Sequence, residues 1–364
     1  MLLYRSKKGV LMRILLTNNS LSELAGSEIF TYTLAKEFRK SNHFVEVWVF
    51  QEPKENAIIP QKLKELGVDV ISNIDALKQY DVIHCHHNNC AGYIQYRYPK
   101  TPKIFVSHGW IFDICVPPTD SKWDRVVAIS EEVQQNLKQK GFPDAEIINN
   151  PIDTDRFEFK SYKKETIEII CAASNHVGKP CKRQAQSCMT WEQYKPQYAQ
   201  QKCMHQCETK PISQILHLTN ALKAKLLNVG AQLIMDDKGQ MQGKSNSIWD
   251  IEKAYRECDL VFGIGRSVLC AAAMGIPINV YDHFGYAGFI RDEAHFVELM
   301  RTNFSGRLPY YVCNEFPQID INKFCYEYNK NRANLKNISD WVKKYYDSEM
   351  IARKYLDIYE QISS

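Results

Sequence analysis

A chain of 364 residues exceeds the usual size of a single hydrophobic core, which makes two domains the starting expectation. With 46 basic against 42 acidic residues, the formal charge of +4 is too small an excess to argue for a nucleic-acid partner, although it suits an anionic ligand or a bilayer surface. No run approaches the ~18 apolar residues of a spanning helix, and mean hydropathy is −0.39, so a soluble or peripheral protein is expected, with singly scattered cysteines of the cytosolic kind adding a cytoplasmic location or the cytoplasmic membrane face.

Residues 1–11 read as an N-terminal extension, and the folded chain is expected to start at Met12, which directly precedes a strand-like run, 12–18 (MRILLTN). After the loop with Gly26, Ser27 and Glu28 comes a helix carrying Phe30, Leu34 and Phe38 at i, i+4 and i+8. The loop can hold a ligand at the helix start, or Ser27 can simply cap it. Residues 45–50, 68–71, 81–85, 104–107 and 125–129 read as further strands, and their alternation with helices implies a parallel, doubly wound sheet.

His84, Cys85, His86 and His87 are zinc-ligand types, but neighbours on a strand point to opposite faces, so they are not expected to share one metal. His108 ends the 104–107 strand beside Gly109, which makes it a candidate general base or substrate contact; satisfaction by backbone groups is the alternative. Ser130 is read as capping a helix with Glu131 and Glu132 in its first turn. The turn-rich stretch 147–157 (IINNPIDTDRF) marks a boundary between an N-terminal domain over 12–150 and a C-terminal domain over 151–310.

The second half restarts with a strand over 167–173 and a polar turn over 174–179. Residues 180–210 hold four of the twelve cysteines (Cys181, Cys188, Cys203, Cys207) and no sustained periodicity; an irregular insertion, an unusual helix or reading-frame error, and a metal knuckle remain open there. The other cysteines are scattered singly, as reduced thiols are. A helix over 212–227 and a strand over 231–235 follow. Residues 239–245 (GQMQGKS) resemble a phosphate loop but place three residues, not four, before Gly-Lys-Ser. A helix over 249–257 comes next, and a helical tail over 311–364 closes the chain, with Ser348 as a cap and an apolar stripe of Ile351, Tyr355, Ile358, Tyr359 and Ile362.

The most informative stretch is 258–282 (CDLVFGIGRSVLCAAAMGIPINVYD). It reads as a strand, a turn at Gly263 and Gly265, a short helix opening at Arg266 with Ser267 as N-cap, a left-handed stop at Gly275, the breaker Pro277 and a second strand. A bare helix start beside an arginine is an anion site, suited to a diphosphate; a plain turn is the alternative.

Two doubly wound domains joined by Asn-Asn-Pro-Ile-Asp-Thr-Asp-Arg-Phe, together with the Gly-Arg-Ser…Ala-Met-Gly-Ile-Pro block, resemble the retaining, two-Rossmann-domain (GT-B) glycosyltransferases of the family 4 type. The resemblance implies an α/β fold with two Rossmann-like domains facing across a cleft. It implies a nucleotide-sugar donor held by Gly263, Gly265, Arg266, Ser267, Cys270 and Lys179, and His108 with the loop Gly26, Ser27 and Glu28 facing the acceptor and reacting sugar. It also implies a glycan or lipid-linked acceptor, no metal and no cofactor beyond the donor. The chain departs from the family where two glutamates are common: Phe262 and Cys270 stand there, so a catalytically weak relative that binds a nucleotide sugar as a scaffold is the second expectation.

Overall fold

The computed structural model describes residues 11–73, 78–109, 113–161, 164, 166–173, 175–177, 215, 218–228, 232–235, 241–242, 248–282, 285–306 and 320–363. By contact the chain divides into two compact units. The first comprises Met1–Ile129, Val133–Pro151 and Ser348–Ser364, and the second Ser130–Glu132 and Ile152–Asp347.

Unit 1 runs β1 (Arg13–Asn18), α1 (Gly26–Lys40), β2 (Phe44–Val49), α2 (Ile58–Glu65), β3 (Asp69–Ile71), β4 (Val82–Cys85), α3 (Asn88–Arg97), β5 (Lys103–Ser107), β6 (Arg125–Ala128), α4 (Glu131–Gln139) and β7 (Glu146–Ile147). Its seven strands pair in the order β3-β2-β1-β4-β5-β6-β7, every pair parallel. β4 and β5 are buried at every position, as strands covered by helices on both faces must be.

Unit 2 continues with β8 (Ile169–Ala172), β9 (Asn175–Val177), β10 (Lys225–Asn228), β11 (Gln232–Met235), β12 (Met241–Gln242), α5 (Ile251–Glu257), β13 (Leu260–Gly263), α6 (Arg266–Ala273), β14 (Ile278–Asp282), β15 (Gly285–Phe289), α7 (Glu293–Met300), α8 (Ile321–Ala333) and α9 (Leu335–Tyr346). One sheet has the order β10-β8-β13-β14-β15, and β9, β11 and β12 form another. The buried Asp259 carboxylate ties the first of these together at its base, accepting from the backbone N–H of Glu168 at 2.7 Å and of Ile169 at 2.8 Å.

Several expectations need correcting. The helix read over 212–227 does not reach its end, because Lys225–Asn228 pairs with β8 as a strand. The polar turn over 174–179 contains β9, paired with β11. Met241–Gln242, inside the apparent phosphate loop, is a strand antiparallel to β11. β15 is an antiparallel edge on a sheet expected to be parallel. Residues 180–210, with Lys179, lie outside the described residues.

The last helix, α10 (Ser348–Ile362), belongs to unit 1. Its Ile351, Tyr355, Ile358 and Tyr359 are buried, with Tyr355 6.1 Å from the ring of Phe30 and Tyr359 5.6 Å from that of Phe38. Ser348, expected as a cap, is instead the first helical residue and gives its hydroxyl hydrogen to Glu37 Oε1 at 2.9 Å.

Gly275 meets its expectation: it follows the end of α6 at φ 76°, and a Cβ there would lie 2.5 Å from a ring carbon of Phe159. Gly26 faces open space. In urea unfolding, Gly275→Ala should therefore cost about 2 kcal/mol or more, whereas Gly26→Ala should stay within about 0.5 kcal/mol. Equal effects at the two positions would contradict this account.

Candidate functional site

In unit 2 the chain leaves β8 for β10 on one side and for β13 and β14 on the other, so a switch point lies between β8 and β13. Ligands of open α/β sheets bind at the carboxyl ends of strands there. Gly263 ends β13, and two residues on Gly265 takes φ 55° and ψ −130° as the N-cap of α6. That φ favours glycine, and the Gly265 N–H is tied to Phe304 O at 3.0 Å. Ser267 is not the cap it was expected to be. It sits inside the helix, and its side chain hydrogen-bonds with Tyr255. No side chain caps α6, so its first N–H groups and the positive end of its dipole remain available.

Arg266 opens this helix with Nη2 buried and without a hydrogen-bonding partner. Burial lowers its pKa, against the pull of Cys270 and Asp153, but guanidinium stays charged. An unpartnered N–H on a buried cation favours an anionic acceptor. Cys270, one turn along, is 4 % exposed, and burial pushes its thiol up to about 12, so it stays neutral at ordinary pH. Arg156 is fixed beside this group: it bonds Glu252 Oε2 at 3.1 and 2.7 Å and lies 4.5 Å over the Trp249 ring. Asp153, Arg156, Trp249 and Glu252 were missed in the sequence, where the Asp-Thr-Asp-Arg-Phe run signals a boundary and a family resemblance but no site. Phe262 is fully buried, stacked on Phe324 at 6.1 Å and beside Tyr281. A carboxylate at 262 would be stranded in an aromatic core.

In unit 1 the corresponding switch lies between β1 and β4. α1 begins there at Gly26 after Ala25, with no side-chain cap. Ser27, the other expected cap, donates instead to Glu28 Oε2 at 2.8 Å. Burial raises the Glu28 carboxyl from 4.5 to about 7, opposed by hydrogen bonds from Ser27 and the backbone.

Beyond the end of β4, His87 takes φ 64° and accepts from the Asn19 N–H at 3.2 Å, a strained backbone of the kind that clusters at functional sites. His84 and His86 share one face, two residues apart, while Cys85 belongs to the apolar cluster that packs around α3. His86 Nδ1 lies 2.7 Å from His108 Nε2. Burial lowers the pKa of His84 to about 3 and of His87 to about 4, and it holds His86 well below its ordinary value. Alternation along the strand, used to argue against a metal, also placed His84 and His86 together; their meeting with His108 is tertiary. Among the described residues no His, Cys, Asp or Glu group could hold a metal ion.

Residues 24–156 match the model of Glycosyltransferase Family 4. That match takes in 133 of the 364 residues. Anabaena HepE, solved in complex with UDP and glucose, is 15% identical with a TM-score of 0.59, the likeness covering 96% of this chain and 100% of that one. A glycosyltransferase from Rickettsia africae gives 13% identity and a TM-score of 0.56, with 97% and 98% of the two chains covered. AviGT4, a glycosyltransferase involved in avilamycin A biosynthesis, gives 14% and 0.52, again with 97% and 98% covered. At such identities the likeness concerns the fold, which is that of the GT-B class. No curated protein matches the sequence.

A carboxyl raised by folding binds a proton that the unfolded chain releases, so Glu28 should cost stability as pH rises from about 4.5 through about 7. Denaturant unfolding at pH 4 and pH 8 should show Glu28→Gln losing less stability than the parent across this interval, by on the order of 1–3 kcal/mol after allowing for partial exposure. Parallel curves for the two proteins would rule out the raised carboxyl.

Proposed function

We propose that the protein transfers a sugar, with retention, from a nucleotide-diphosphate sugar to a glycan or lipid-linked acceptor, at the cytoplasmic face of a membrane or in the cytoplasm. The observation that carries this reading is the unpartnered Arg266 Nη2 beside an uncapped helix start at the unit 2 switch point, in a chain whose 24–156 stretch matches the family 4 model. As the sugar leaves, negative charge accumulates on the diphosphate. A cation and backbone N–H groups already aimed at that charge lower the barrier without reorganising.

In this scheme Gly263, Gly265, Arg266 and Ser267 form the diphosphate turn, Cys270 lies beneath it, and Lys179 is a second basic contact. His108 and the loop Gly26, Ser27 and Glu28 serve the acceptor and reacting sugar. The donor is the only small molecule the scheme needs.

A second reading, a catalytically weak relative that binds a nucleotide sugar as a partner or scaffold, is favoured by the buried Phe262 and the neutral Cys270 thiol. Cys270→Glu separates the two. A large gain in turnover would indicate decay from an active site, and a loss would indicate a site tuned around cysteine.

A thermal-shift panel of UDP, GDP, ADP, CMP and their sugar conjugates tests donor binding, with UDP first because HepE was solved with UDP and glucose. At about 100 times Kd a bound donor should add about 2.7 kcal/mol, a shift of several degrees at roughly 2–4 °C per kcal/mol. The shift should vanish in Arg266→Ala. No response to any nucleotide would sink the donor site.

A further inference from the structure

Two nitrogens in unit 1 decide each other's protons. His86 Nδ1 and His108 Nε2 are 2.7 Å apart, so one carries a hydrogen and the other a lone pair. His86 is wholly buried, and its Nε2 has no hydrogen-bonding partner among the described residues. The ring stands nearly perpendicular to that of Phe30, centroids 5.2 Å apart, and 4.6 Å from the ring of His84. His84 repeats the pattern: its Nδ1 is 2.5 Å from the Tyr359 hydroxyl, and its Nε2 is buried and unpartnered.

A neutral imidazole carries one ring proton. Placed on His86 Nε2, that proton would be a buried N–H with nothing to receive it. Orphaned donors of this kind are rarer in folded proteins than orphaned acceptors, so the bare lone pair is the better tolerated state at Nε2. The proton therefore belongs on Nδ1, from which His86 donates to His108 Nε2. Burial among Phe30, His84 and His108 keeps His86 in the neutral form that the argument needs.

We propose that His86 is a positioning residue that fixes neutral His108 as its Nδ1–H tautomer, so that His108 meets the reacting sugar or acceptor as a hydrogen-bond donor rather than as a base. This reverses the general-base expectation for His108, and its catalytic half rests on the transferase reading above. A neutral imidazole in water prefers its proton on Nε2, so the protein imposes the opposite choice.

Long-range 15N–1H correlation spectra of the full chain, labelled at histidine, report the tautomer of each ring. His108 should be Nδ1–H in the parent, shift towards Nε2–H in His86→Ala, and remain Nδ1–H in His86→Gln, whose amide N–H can donate to the same nitrogen. A parent His108 carrying Nε2–H, or an unchanged tautomer in His86→Ala, overturns the proposal. Turnover is then read on the same three proteins with whichever sugar nucleotide the thermal panel selects. A fall in kcat of about tenfold or more in His86→Ala with KM little moved, restored in His86→Gln, supports the positioning role; equal kcat in all three overturns it. The Nδ1–H pattern in a chain that transfers no sugar supports the tautomer assignment and counts against the transferase reading alone.

Discussion

A helix of eight residues held between two left-handed glycines governs what unit 2 can present to a ligand. Gly265 turns the chain sharply off β13, and Gly275 turns it back towards β14 while pressing against Phe159. Between them Val268 to Ala273 are buried without a break, so α6 has no freedom to rotate about its axis. Its first residue is therefore fixed as firmly as the core, and Arg266 and Cys270, one turn apart, must share a face. The cost of leaving an arginine nitrogen unpartnered in such a place is the kind of local expense that folded chains tolerate at functional sites.

Unit 1 uses burial to a different end. The imidazoles of His84, His86 and His87 are shifted towards the neutral form and its first-turn carboxyl is raised, in each case by desolvation more than by neighbouring charge. Unit 2, by contrast, gathers Arg156, Arg266, Asp153 and Glu252 around its turn. The two switch points thus differ locally, one beside neutral imidazoles and the other beside cations balanced by carboxylates.

Much of this fold was legible in the residues because parallel α/β units write their period plainly: buried strands as short apolar runs, covering helices at a spacing of three and four. Gly275 and Pro277 marked a helix stop correctly because those residues act locally. The serines misled for the same reason in reverse. Ser27, Ser267 and Ser348 all have a side chain of the capping type near a helix start, yet each lies inside its helix with its hydroxyl engaged by Glu28, Tyr255 or Glu37, the last two distant in sequence. Lys225–Leu227 falls inside the helix expected over 212–227 because four residues are too few to show an alternation, and only the pairing of Lys225–Asn228 with β8 decides the matter. The contact of His86 with His108 spans 22 positions, and no periodicity encodes it.

The return of α10 to unit 1 bears on how the protein is made. Phe30, Phe38 and His84, synthesised before unit 2, find Tyr355 and Tyr359 only after the whole of unit 2 has been synthesised. Unit 2 follows in one nearly continuous stretch and can complete its contacts first, although its sequence comes later. During that interval an unfinished apolar face waits on the earlier unit, which is where a nascent chain of this kind would engage a chaperone.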